Sequence, residues 1–240
     1  MENNQKIAAA IFSFDSNITA KIISNLNEIN LIEKLIVISK NDINDHTISL
    51  VKSDHPLSSD TIRKVIEITL TPYLLLINGN KNVELTKDAV NKFISQAANT
   101  GAGWVYSDYY EKQAEKLILH PLIDYQTGSV RDDFDFGNCF MIRTDIAQTS
   151  LPTLFSLKND LHYSGLYNLR LAISRRSGVM RIPKPLYSVQ STDETSESNK
   201  IFDYVNPKNR ELQIEMEKIF TNHLKEIGAY INPESKKVVG

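Results

Sequence analysis

The sequence predicts an α/β protein built on a mostly parallel sheet flanked by helices, and three observations carry this. Tyr73 to Ile77 is an uninterrupted apolar run, preceded by the helix-blocking Pro72 and ended abruptly by Asn78-Gly79-Asn80. A short continuous run bounded by breakers suits a strand buried on both faces, as parallel strands are. Several such runs alternate with segments whose apolar residues recur at helical spacing, the rhythm of right-handed crossovers onto one sheet. With 240 residues, 41% of them hydrophobic and 23% charged, the chain can bury one large core or two small ones.

In chain order, residues 7–14 form the first strand, which ends at Ser13-Phe14-Asp15-Ser16-Asn17. A helix follows over 18–28, with Ile22, Ile23, Leu26 and Ile29 on one face. Residues 35–38 make a second buried strand closed by Ser39-Lys40-Asn41-Asp42, and 47–51 a short third. Ser58 or Ser59 caps a helix reaching Thr69. After the central strand, a helix over about 86–98 stops near Gly101 and leads into a strand at 104–107.

The second half reads differently. Residues 116–120 and 140–143 are strands around an irregular acidic and aromatic segment, 128–137. A helix over 163–177 is stopped by Gly178, and short strands at 179–182 and 186–189 are separated by Pro183 and Pro185. The polar run 191–199 reads as a loop, and a helix from Pro207 to about Ile227 closes at Gly228, with Leu212, Met216, Ile219 and Phe220 as its stripe. The domain division expected is 1–190 as one α/β domain, 191–206 as a loop, and 207–240 as a C-terminal helix and the start of a linker.

Net charge is −2, so nothing marks the chain as a binder of nucleic acid or anionic membrane. One cysteine, Cys139, rules out an internal disulfide framework. The polar N-terminus and the lack of any long apolar stretch lead to the expectation of a cytoplasmic protein without a membrane span.

Function enters through position. Ligands in open α/β sheets gather beyond the carboxyl ends of the strands, which is where Phe14, Asp15, Asn41, Asp42, Asn78 and Asn80 fall. In order and in several motifs the chain resembles the inverting glycosyltransferases of family 2, which have the GT-A fold. The resemblance covers residues 7–189: Phe14-Asp15-Ser16-Asn17 after the first strand, Asn41-Asp42 and Asp45 after the second, Thr71 to Asn80 in place of the strand ending in aspartate–any–aspartate, and Leu166 to Leu171 followed by Ile182-Pro183-Lys184-Pro185-Leu186-Tyr187. The C-terminal helix looks like the tail of a module that precedes a second glycosyltransferase domain in some longer bacterial chains.

The resemblance implies a nucleotide-sugar donor, a saccharide acceptor and a Mg²⁺ or Mn²⁺ ion. Phe14, Asp15, Asn41, Asp42, Asn78, Asn80 and Arg131 are the expected donor-binding residues, Arg131 by pairing with phosphate oxygens. Hard cations want carboxylate oxygens, and Asn78 and Asn80 offer only neutral amides, so cation binding should be weak. Asn78-Gly79-Asn80 equally suits a turn, and Asp15 and Asn41-Asp42 equally suit a helix cap and a turn.

The place before the late helix, where the family keeps its base, reads Ser164-Gly165, with Asp160 nearby but off register. Asp132, Asp133 and Asp135 are the substitute candidates for catalysis, close enough in sequence to raise one another's pKa. The plainer alternative is a solvated acidic loop whose Phe134 and Phe136 plug the core. Two further readings follow: a catalytically inactive module that positions or regulates an adjacent transferase domain, and a carbohydrate binder stacking sugars on Trp104, Tyr106, Tyr109 and Tyr110.

Overall fold

The computed structural model describes residues 5–113, 116–154, 157, 161–190 and 209–232. The first strand, β1 (Ile7–Ser13), consists almost wholly of buried aliphatic and small residues. Asp15 then ends the extended run and caps α1 (Ser16–Asn27), its carboxylate accepting the Ile18 N–H at 2.8 Å. β2 (Ile32–Ser39) and β3 (Ile48–Lys52) follow, then α2 (Ser59–Glu67), whose N-cap is Ser58. β4 (Tyr73–Gly79) is the buried central strand read from the sequence. Next come β5 (Asn82–Leu85), α3 (Lys87–Thr100), β6 (Trp104–Gln113) and β7 (Lys116–His120). The remainder is β8 (Cys139–Arg143), α4 (Thr144–Leu154), α5 (Gly165–Ser174), β9 (Val179–Gln190) and α6 (Asn209–Glu226).

The nine strands form a single sheet in the order β3-β2-β1-β4-β8-β6-β9-β5, with β7 hydrogen-bonded to β6 off this path. From β3 to β4 every pairing is parallel; β8 then runs antiparallel to both β4 and β6. The expected parallel arrangement therefore holds for the first half, and the whole sheet is mixed. Two predicted short strands near Pro183 and Pro185 are one strand, β9. It crosses the prolines by a register shift against Ser107 and Asp108, the kind of bulge that spares a proline a ladder hydrogen bond.

The sequence reading passed over β5 and α4. α4 carries Pro152 inside it, and four residues are few for a strand to announce itself. The predicted loop 191–206 and the predicted linker start at 235–240 lie outside the described residues. Among the described residues no helix is long and apolar enough to cross a membrane.

Candidate functional site

β1 and β4 run side by side with Phe12 opposite Asn78 and Ser13 opposite Gly79. Phe14-Asp15 and Asn78-Gly79-Asn80 are thus delivered to one rim, beyond the carboxyl ends of neighbouring parallel strands. Gly79 is required by the approach: a Cβ there would sit 2.3 Å from the Phe12 carbonyl oxygen. Asn41 and Asp42 lie past the end of β2, the next strand along. The predicted donor residues therefore share an edge, with Arg131 arriving separately on the loop before β8.

Their side chains are differently engaged. Asp15 caps α1, and Phe14 is 54% exposed. Asp42 accepts two hydrogen bonds from Lys52 Nζ at 2.8 and 2.7 Å, while the Asn41 N–H donates to Ser39 Oγ. Asn80 Oδ1 accepts from Asn138 Nδ2 at 2.9 Å, and the Asn78 N–H donates to the Asn138 carbonyl at 2.8 Å. The triplet is thereby fastened to the residue that opens β8.

This donor set does not fit a hard divalent cation. Two neutral amides are offered, one already taken by Asn138, and no group of three His, Cys, Asp or Glu side chains among the described residues could hold a metal ion.

The 121–138 segment, which reads as irregular, is pinned along its length by side chains from three elements. Tyr106 donates to the Ile123 carbonyl at 2.6 Å, and buried Asp108 accepts the Leu122 N–H at 2.9 Å. Arg181 forms two bonds to Asp108, 2.8 and 2.9 Å, and a third to Asp124. Burial pushes the Asp108 carboxyl up, but Arg181 and the Leu122 amide outweigh it and hold the group below the usual carboxylate range.

Arg170 on α5, 3% exposed, donates to the carbonyls of Ser129 and Arg131 and to the Tyr125 hydroxyl. Its guanidinium lies 5.0 Å from the Tyr167 ring centroid and 5.7 Å from those of Tyr125 and Phe136. Burial lowers the Arg170 pKa and pushes the Tyr167 phenol up to about 12. Asp108 is a structural ion-pair partner within β6, which runs on beyond the strand predicted at 104–107.

Within this segment Arg131 forms a two-pronged pair with Asp133, 3.0 Å on each arm. That pair lowers the Asp133 pKa, contrary to the expected mutual raising. Asp135 accepts the Gly137 N–H at 2.8 Å and has its other oxygen 3.7 Å from His120 Nε2. Phe134 and Phe136 pack on Tyr106, Trp104 and Tyr125, as the plainer sequence reading held.

Between this loop, α5 and α6 opens a cleft of about 280 Å³. Asp132, Asp135, Trp104, Tyr163, Ser164 and Arg170 are among its lining residues. Trp104, Tyr106 and Tyr109 are nearly fully buried in the sheet, which removes them as an exposed sugar-stacking platform.

One residue at this cleft escaped the sequence reading. The N-terminus of α5 has no side-chain cap of its own. Glu215 of α6, 8% exposed, fills that role. Its carboxylate accepts the N–H groups of His162, Tyr163 and Ser164 and the Ser164 hydroxyl, at 2.8, 3.0, 3.2 and 2.6 Å. A carboxylate therefore does stand where the resemblance places a base, but it comes from beyond the resembling region and is occupied by four donors. The signal was the helical spacing: Glu215, Ile219 and His223 are the buried positions of α6, four residues apart. Asp160, the off-register carboxylate, lies outside the described residues.

No family model matches this sequence, and no curated protein sequence matches it. Solved structures do resemble the fold. The crystal structure of S. aureus TarS 1–349 aligns over 92% of this chain and 72% of its own, with 9% identity and a TM-score of 0.54. Its complex with UDP-GlcNAc aligns over 92% and 73%, with 8% identity and a TM-score of 0.56. A 4-diphosphocytidyl-2C-methyl-D-erythritol synthase from Anaerococcus prevotii aligns over 88% of this chain and all of its own, at 11% identity and a TM-score of 0.51. Such low identities speak to architecture. The chain has an α/β, GT-A-like fold.

Proposed function

We propose that the chain is a nucleotide-sugar-dependent glycosyltransferase, inverting at the transferred carbon, with a saccharide as acceptor. The observation that carries this is the position of the acidic loop. Through Asn138 and Asn80 it touches the rim where the donor residues gather, and through Asp132 and Asp135 it lines the cleft. A donor on the rim and an acceptor in the cleft would meet across it.

In the step envisaged, an acceptor hydroxyl attacks the anomeric carbon opposite the leaving group. The bond from that carbon to the phosphate oxygen breaks, and the nucleoside diphosphate departs with the electron pair. The hydroxyl proton passes to a carboxylate. Asp132 is assigned that role, since Asp133 is paired with Arg131 and Asp135 is engaged with Gly137 and His120. Phe14, Asp15, Asn41, Asp42, Asn78 and Asn80 are assigned to the donor. A Mg²⁺ or Mn²⁺ ion is assigned no part in the step, because the amides of Asn78 and Asn80 suit it poorly.

A second reading is favoured by the four donors held by Glu215 and the Arg131–Asp133 pair. Here the module is catalytically inactive and positions or regulates an adjacent transferase domain. Calorimetry with UDP-GlcNAc and UDP, followed by assay for released UDP with saccharide acceptors, separates the two. Binding with turnover that Asp132→Asn abolishes supports the transferase. Absence of turnover, with or without binding, supports the inactive module and overturns the transferase; turnover overturns the inactive module.

A further inference from the structure

The sheet has an unusual free border at β7. On one side this strand is hydrogen-bonded to β6, from Gln113–Lys116 to Tyr109–His120; no described strand pairs with its other side. Its three central residues are consecutive large aliphatics that stand in solvent: Leu117, Ile118 and Leu119 are 57%, 43% and 51% exposed. Soluble proteins ordinarily blunt such edges with an inward charge, a proline or a bulge, because open N–H and C=O groups beside apolar side chains invite another strand. None of these devices interrupts 117–119.

We propose that two copies of the chain associate through β7, antiparallel, about a twofold axis passing at Ile118. The sequence of the strand selects this occupant. A twofold at Ile118 sets Ile118 against its own copy and Leu117 against Leu119 of the second copy, so every exposed aliphatic gains an aliphatic partner on the same face.

The same register sets Lys116 opposite His120 of the second copy. Beside that histidine, 3.7 Å from its Nε2, lies Asp135. The ammonium of one copy is thereby carried to the acidic loop of the other, twice by symmetry. The apolar centre is thus flanked by opposite charges. Because Asp135 lines the cleft, each copy contributes Lys116 to the rim of its neighbour's cleft. The contact is a strand's width and buries little beside a permanent dimer, so it forms and dissolves with concentration. The inference stands on the sheet edge and is independent of the proposed reaction.

Sedimentation of the 240-residue chain from micromolar to about 1 mM tests the association. The expected result is a rise in mass from the chain's own 27.2 kDa toward twice that value. A single species at the chain mass throughout would overturn the proposal. Ile118→Lys, at an exposed edge position, is expected to fold normally by circular dichroism and to abolish the rise; an unchanged rise excludes β7.

Register is read with cysteines, since native Cys139 is fully buried. Ile118→Cys, oxidised by dioxygen with copper phenanthroline, is expected to give a disulfide-linked dimer, as directly opposed residues lie about 4.5–5.5 Å apart at Cα. Leu117→Cys alone should stay monomeric but should link to Leu119→Cys when the two are mixed. Self-linking of Leu117→Cys as fast as Ile118→Cys overturns the twofold at Ile118.

Discussion

The two halves of the sheet are held together by different physics. From β1 to β4 the strands are buried runs of Ile, Leu, Val and Ala, and parallel pairing is sufficient to order them. From β6 onward the architecture depends on a few polar side chains that reach across 39 to 73 residues: Asp108 to Arg181, Arg170 to Ser129 and Arg131, Glu215 to the start of α5. Hydrophobic burial is non-directional and forgiving, whereas these contacts fix the path of one loop. The parallel half is built generically. The half that shapes the cleft is built residue by residue.

Substitutions should expose that contrast. Asp108→Ala leaves the largely buried Arg181 guanidinium without its main partner and should cost about 3–5 kcal/mol in urea unfolding. It should also loosen amide protection around Leu122. Lower pH should erode the same contact. The folded pKa of Asp108 is depressed, so its contribution is full above the unfolded value near 3.9 and is lost as pH falls through the folded one. Leu75→Ala, in the apolar half, should cost about 2–5 kcal/mol by cavity formation, with no change in which loops exchange.

Glu215→Ala should cost about 1–3 kcal/mol, because the α5 N-terminus loses its acceptor. It should speed amide exchange at residues 162–164 selectively; uniform protection there would show that the helix end is satisfied without α6. His223, buried against Arg175, has its pKa lowered by burial and then by that cation to about 4. Its folded form resists protonation, so stability should fall between pH 6.5 and 4, by at most about 1.4 kcal/mol per pH unit. His223→Gln should flatten that slope. The smallest effect belongs to Asp42→Ala: the Lys52 pair is mostly solvent-exposed, and its loss should cost under about 1 kcal/mol.

The same division explains what could be read in advance. Tyr73 to Ile77 announced a central strand because a local apolar run suffices to make one, and Asp15, Ser58 and Thr86 announced helix starts by chemistry contained in three residues. The shared rim of Phe14 and Asn78 followed from strand order alone. By contrast, nothing near Ser164 indicates that its helix is capped from 51 residues away, and nothing near Arg131 indicates that Asp133 pairs with it. Side chains that act over long sequence separations leave no periodic trace. Of the apolar stripe expected on α6 only Ile219 is fully buried; Glu215 and His223 are buried beside it, and their polarity disguised this.

The amide clasp between Asn80 and Asn138 has a consequence of its own. Neither group titrates, so the joint between the rim at the end of β4 and the acidic loop should keep its shape in acid, in high salt and in the presence of chelators. Any pH dependence of ligand affinity would therefore have to originate elsewhere, for example in the carboxylates of Asp132 and Asp135 that line the cleft. The chain has, in effect, insulated this contact from ionic conditions.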